Sequence, residues 1–118
     1  MTDTEGRLAR KYMTAELSTA HITEEDAKLL AVDADTSLAA AEGRAVVNGP
    51  LGLAGVVNTG TGFILPVPYT NDVIGRMKDF GYSGELLAIL EMAQDEVCRR
   101  VEFDRDVEPV DHLPTFDW

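Results

Sequence analysis

The side chains of this 118-residue chain that could do chemistry are two histidines, one cysteine and twenty-one carboxylates. His21, His112 and Cys98 lie far apart and lack the ligand spacing of a zinc site, so no metal is expected. Asp104, Asp106, Glu108 and Asp111 echo the alternating ligands of a calcium loop. The glycine at its sixth position and the glutamate at its twelfth are missing, and Arg105 interrupts the row, which predicts a solvated acidic loop. Gly60-Thr61-Gly62 has no following lysine and reads as a β-turn, not a phosphate cradle. A nucleophile and base could be assembled from Cys98 or Ser18 with His21. Cys98 falls near the end of an apolar helical stretch, where inert burial is the rule. His21 sits between Ala20 and Ile22 just ahead of a helix cap, a place from which it would orient a strand-to-helix corner by hydrogen bonding. An enzyme using His21 with a nearby carboxylate is the competing reading. No cofactor is implied.

Charge is the strongest bulk signal: −11 at neutral pH, with a sequence pI near 4.4. It disfavours direct binding to nucleic acid or anionic membranes and favours a basic partner. The acid is unevenly spread. Residues 13–43 carry −6 (seven acids against Lys28), and 102–118 carry −5 (six acids against Arg105). Residues 44–82, with three basic and two acidic side chains, carry +1. Two candidate rows of partner-binding carboxylates follow: Glu24, Glu25, Asp26, Asp33 and Asp35, then Asp95, Glu96, Glu102, Asp104, Asp106, Glu108 and Asp111. Arginine outnumbers lysine seven to three, as in chains from GC-rich genomes.

The elements that position these groups follow from periodicity and punctuation. Residues 1–12 have few apolar anchors and predict a mobile arm ahead of a single domain over 13–118. Thr14 to Ile22 reads as a strand. Thr23 then caps a helix whose first turn is Glu24-Glu25-Asp26, with Asp26 closing a capping box. Ser37 to Glu42 reads as a further helical turn or two, stopped by Gly43. Arg44–Asn48, Leu53–Val57 and Phe63–Val67 predict short strands around glycine-rich turns, the prolines at 66 and 68 placing the last at an edge or ending it early. Thr70 or Asn71 caps a helix over 72–79 with Val73, Ile74 and Met77 on one face and Gly81 as its stop. Ser83 caps a longer helix over 85–97, followed by a strand at 100–104. The fold class is α+β: a small, mostly antiparallel sheet with two to three helices on one face. The terminal run should be strapped down by Leu113, Phe116 and Trp118, each at least half buried. Met1 to Gly6 lacks the layout of a signal peptide, no apolar run nears the roughly 20 residues of a membrane span, and one cysteine allows no internal disulfide. A cytoplasmic protein is expected.

Thr19-Ala20-His21-Ile22-Thr23 and the ending Leu113-Pro114-Thr115-Phe116-Asp117-Trp118 resemble a family of small accessory proteins of bacterial plasmids, integrated elements and phages. The likeness covers about 17–30 and 84–118, not the glycine-rich middle. It implies a mobile-element setting in a bacterial host cell. By analogy with small acidic proteins of that setting, it implies a non-enzymatic inhibitor of anti-CRISPR or anti-restriction type. Its partner would be a basic, nucleic-acid-binding host protein, met by an acidic face that imitates nucleic acid. The alternative is a structural or regulatory module that self-associates through the neutral residues 44–68.

Overall fold

The computed structural model describes residues 13–43 and 52–118. The arm expected over 1–12 and the strand expected over 44–48 lie outside the described residues. The elements are β1 (Met13–Ser18), a 3-10 turn (Thr19–His21), α1 (Glu24–Ala41), β2 (Val57–Asn58), β3 (Gly62–Pro66), α2 (Asn71–Phe80), α3 (Gly84–Asp95) and β4 (Cys98–Asp104). The fold is α+β. Its sheet has the order β1-β4-β3-β2, with β3 antiparallel to both of its neighbours and β1 parallel to β4.

Strand alternation decides which side of the sheet is buried. Ala15, Leu17, Phe63, Leu65, Val101 and Phe103 lie in matching register and join the helices in one core. Ile22, Leu30, Met77, Leu86 and Leu90 fill that core from the corner and the helices, each fully buried. Gly62 permits the ladder to close. A Cβ there would sit 1.7 Å from the Phe103 carbonyl oxygen, so no other residue fits without moving β3 off β4.

Helix α1 runs unbroken through Asp33-Ala34-Asp35-Thr36-Ser37 and takes in the further helical turns expected from Ser37. Short polar side chains break helices by competing for backbone groups, and here two of them are engaged otherwise. Thr36 Oγ1 donates back to the Val32 carbonyl at 2.9 Å, and the Asp33 carboxylate reaches out of the helix altogether. The strand expected over 53–57 shrinks to the two residues of β2. Cys98 opens β4 and does not end a helix, although it is buried as expected.

Two carboxylates on α1 join the layers. Asp26 and Asp33 are seven residues apart, two helical turns or about 10.5 Å, so they share a face. Both are at 0% exposure. Asp26 completes the Thr23 capping box and accepts from the Ser83 N–H at 2.8 Å and the Ser83 hydroxyl at 2.5 Å. Ser83 Oγ in turn accepts from Leu86 N–H at 3.1 Å and so caps α3. Asp33 accepts from Gly52 N–H (3.1 Å), Leu53 N–H (2.8 Å) and the Tyr82 hydroxyl (2.6 Å). Gly52 must be glycine to approach so closely, since a Cβ would lie 2.7 Å from the Phe80 ring.

Burial, then the hydrogen bond to Asp33, push the Tyr82 phenol well above its ordinary range. Below about pH 10 the phenol is protonated in both folded and unfolded chains, and its contribution to stability is complete. As pH rises further the unfolded chain loses this proton first, so stability falls. The urea midpoint should therefore decline above pH 10. Tyr82→Phe should lack that part of the decline and cost about 1.5–3 kcal/mol at neutral pH, the worth of a hydrogen bond to a charged group.

Val97, just past the end of α3, has φ +60° and is 71% exposed. A β-branched residue is strained there, where glycine is the usual choice. Val97→Gly should raise stability by about 0.5–1 kcal/mol, read as a higher urea midpoint.

Candidate functional site

The side of the sheet away from the helices carries three carboxylates from two paired strands. Glu16 on β1 stands beside Glu102 on β4, and Ser18 beside Asp104. Neighbouring strands are about 4.8 Å apart, and residues two apart on a strand are separated by about 6.6 Å. Glu16, Glu102 and Asp104 thus form a triangle of carboxylates on a rigid surface. Thr14 and Arg100 are neighbours at the other end of the same face, with Ile64 and Pro66 alongside on β3. Among the described residues none of this set belongs to the helix-covered core. Like charges in adjacent ladder positions oppose folding by a few tenths of a kcal/mol. Glu16 and Glu102 are held together by pairing that the core face dictates.

Beyond β4 the chain turns. The Asp104 carboxylate accepts from Asp106 N–H at 2.9 Å, and Val107 N–H donates to the Asp104 carbonyl at 3.2 Å. The following acidic run is then fastened to the corner between β1 and α1. His21 is fully buried, and both its ring nitrogens are spent on this run. Nε2 accepts from Val110 N–H at 3.0 Å, and Nδ1 donates to the Pro114 carbonyl at 2.8 Å. That pair of contacts selects the neutral, Nδ1-protonated imidazole. Phe116 N–H donates to the Ala20 carbonyl at 2.8 Å, and Trp118 Nε1 donates to the Ile22 carbonyl at 2.9 Å. Leu113 packs on the core.

The structure separates the carboxylates that sequence had grouped. Asp26 and Asp33 are interior braces at 0% exposure and present nothing to a partner, which corrects their place in the first acidic row. Their hydrogen-bond donors come from residues 52, 53, 82 and 83, so no local signal marked them as buried beyond the capping box. Glu24 and Glu25 are exposed in the first turn of α1, where Glu24 lies 3.8 Å from Lys28, and Asp35 is exposed further along the helix. Asp95 and Glu96 are exposed at the C-terminal end of α3, ahead of β4. Asp106, Glu108 and Asp111 are exposed past the other end of that strand. Seven residues of β4, about 20 Å, lie between those two groups. Glu102 and Asp104 are half buried on the open face. Glu16 was missing from the sequence candidates. Its alternation with Ala15 and Leu17 marked an outward position, but only the β1–β4 pairing placed it beside Glu102.

The terminal strap also needs a correction. Leu113 and Phe116 are half buried, but Trp118 is 58% exposed. Its anchor is the indole N–H, not the burial of its ring, so an apolar residue type was a poor guide to depth. The strap crosses the strand-to-helix corner at residues 20–22. No group of three or more His, Cys, Asp or Glu side chains placed to hold a metal ion occurs among the described residues. No helix among them is long and apolar enough to cross a membrane.

His21→Ala should leave Val110 N–H and the Pro114 carbonyl without partners and cost about 2–4 kcal/mol. Limited proteolysis should then cut within 105–118 long before the rest of the chain. An unchanged urea midpoint and cutting pattern would show that the strap is not held through this ring.

No curated protein and no solved structure matches the chain. A family model does: the C-terminal domain of a family of unknown function (DUF5983) matches residues 14–118. The match spans the sheet, all three described helices, His21 and the strap together, and the chain is therefore a member of the DUF5983 C-terminal domain family.

Proposed function

We propose that this protein is a non-enzymatic binding protein that sets ordered carboxylates against a basic, nucleic-acid-binding partner. The observation that supports this reading is the Glu16–Glu102–Asp104 triangle on the side of the sheet away from the described helices. Paired strands fix the backbone spacing of these positions before binding, so a partner's Arg and Lys meet carboxylates at set separations. A solvated acidic tail would offer the same charge without geometry. Asp106, Glu108 and Asp111 extend the surface from a strap tied down on both sides of them. The repulsion between Glu16 and Glu102 is tolerated, which fits a surface kept for recognition at some cost in stability.

In the mobile-element setting implied by the resemblance, the partner is a host defence nucleoprotein or nuclease. The protein then acts in the bacterial cytoplasm as an inhibitor of anti-CRISPR or anti-restriction type. The acidic face occupies the groove that would hold nucleic acid, and binding weakens with salt because the partner's cations are screened.

The test is a capture of host proteins at low and high salt with three forms of the full chain. The native chain should retain a nucleic-acid-binding protein at about 50 mM salt and release it near 500 mM. The triple variant Glu16→Gln, Glu102→Gln, Asp104→Asn should bind that protein at least ~10-fold more weakly, a loss of about 1.4 kcal/mol or more. Its own thermal stability should be unchanged or slightly higher. Glu24→Gln with Glu25→Gln, remote on α1, should bind as the native chain does. Equal capture by the triple variant would overturn the reading.

A further inference from the structure

Past the C-terminal ends of β1 and β4 lie two hollows of about 270 and 370 Å³. They meet on Thr19, Arg105 and Trp118, which line both. Ordinary small-molecule pockets span about 300–1,000 Å³, so the pair has room for a small metabolite. The smaller hollow is completed by Phe116 and Asp117, the larger by Ala27, Phe63 and the Asn58–Gly62 turn.

Three features of this cleft remain unused by the fold. The Trp118 ring is 58% exposed yet fixed in orientation by its N–H bond to the Ile22 carbonyl. Arg105 is held at its backbone, whose N–H donates to the Thr61 carbonyl at 3.0 Å, while its guanidinium has no partner among the described residues. Asp117 lines the same hollow, its carboxylate likewise unpaired, and the two charges do not reach each other within 4.0 Å. A cation, an anion and an aromatic platform thus border one space without satisfying one another.

We propose that this cleft binds a small zwitterion, an α-amino acid with an apolar or aromatic side chain. Its carboxylate pairs with the Arg105 guanidinium and its ammonium with Asp117, while its side chain lies against Trp118 and toward Phe63 and Ala27 in the larger hollow. A plain anion is a poorer fit. Asp104 and Asp106 flank Arg105, and the chain's −11 charge repels a ligand of net negative charge. A bare amine leaves Arg105 unpaired. The zwitterion satisfies both charges and gains the cation–π and stacking surface of the indole. This site lies beyond Asp104 at the strand ends and does not depend on the acidic face serving a protein partner.

Trp118 is the only tryptophan, so its fluorescence reports on this site in the full native chain. Titration with L-phenylalanine should change the emission saturably at millimolar concentration or below. On the native chain, 3-phenylpropionate and 2-phenylethylamine, each lacking one charge, should bind at least ~10-fold more weakly. Arg105→Gln and Asp117→Asn, both at exposed positions, should each weaken L-phenylalanine by a similar factor while melting as the native chain does. Arg105→Gln should leave 2-phenylethylamine binding unaltered, and Asp117→Asn should do so for 3-phenylpropionate. The proposal fails if L-phenylalanine gives no saturable change up to tens of millimolar. It fails equally if 3-phenylpropionate or adenosine monophosphate binds as tightly, or if both variants bind L-phenylalanine unchanged.

Discussion

Everything in this fold hangs on how α1 is tied to the junction between α2 and α3. Two carboxylates on one face of α1 grip consecutive residues of that junction, Asp33 holding Tyr82 and Asp26 holding Ser83. Each also organises something local: Asp26 the start of its own helix, Asp33 the chain at residues 52 and 53. A buried carboxylate is costly unless its lone pairs are filled, and here every oxygen accepts at least one hydrogen bond from an interior donor. The consequence is specificity. Leucines at those positions could bury area, but they would not fix the rotation of α1 or the distance between the caps of α1 and α3.

The second organising contact is His21. Its ring converts the end of the chain from a charged extension into part of the surface, by bonding one backbone group on either side of Leu113. Sequence to chemistry runs through the tautomer here. An imidazole with one donor and one acceptor nitrogen can bridge an N–H and a C=O, which neither a lysine nor a carboxylate can do. With both nitrogens so used, His21 contributes order to the acidic run.

Charge is arranged against stability in several places. Glu16 faces Glu102 across the ladder, while Asp95 and Glu96 occupy the C-terminal end of α3, where the helix dipole favours cations. These are individually small costs. Asp26 and Asp33, the carboxylates that join distant parts of the chain, are buried and hydrogen-bonded, while those on the far face of the sheet, at the end of α3 and along the strap make at most local contacts such as the bond from Asp106 N–H to Asp104. That division, not the net charge, is what the proposed recognition surface rests on.

Much of the architecture was legible from residue order because it is local. The Thr23 capping box, the Val73-Ile74-Met77 stripe of α2, the Ser83 cap and the Gly81 stop all depend on contacts within a few residues. Composition likewise bounded the electrostatics. What sequence left open needed partners far along the chain. Asp33 reads as one more surface acid until residues 52, 53 and 82 arrive around it. Glu16 reads as an isolated charge until β1 lies parallel to β4, a pairing of residues some 85 positions apart. Trp118 reads as a core anchor until the corner at Ile22 offers a carbonyl for its N–H and leaves the ring outside. Side-chain type and spacing determined which helices form and how much charge the protein carries. Burial of individual charges, and hence which of them stay at the surface, was decided by the long-range hydrogen bonds of the tertiary fold.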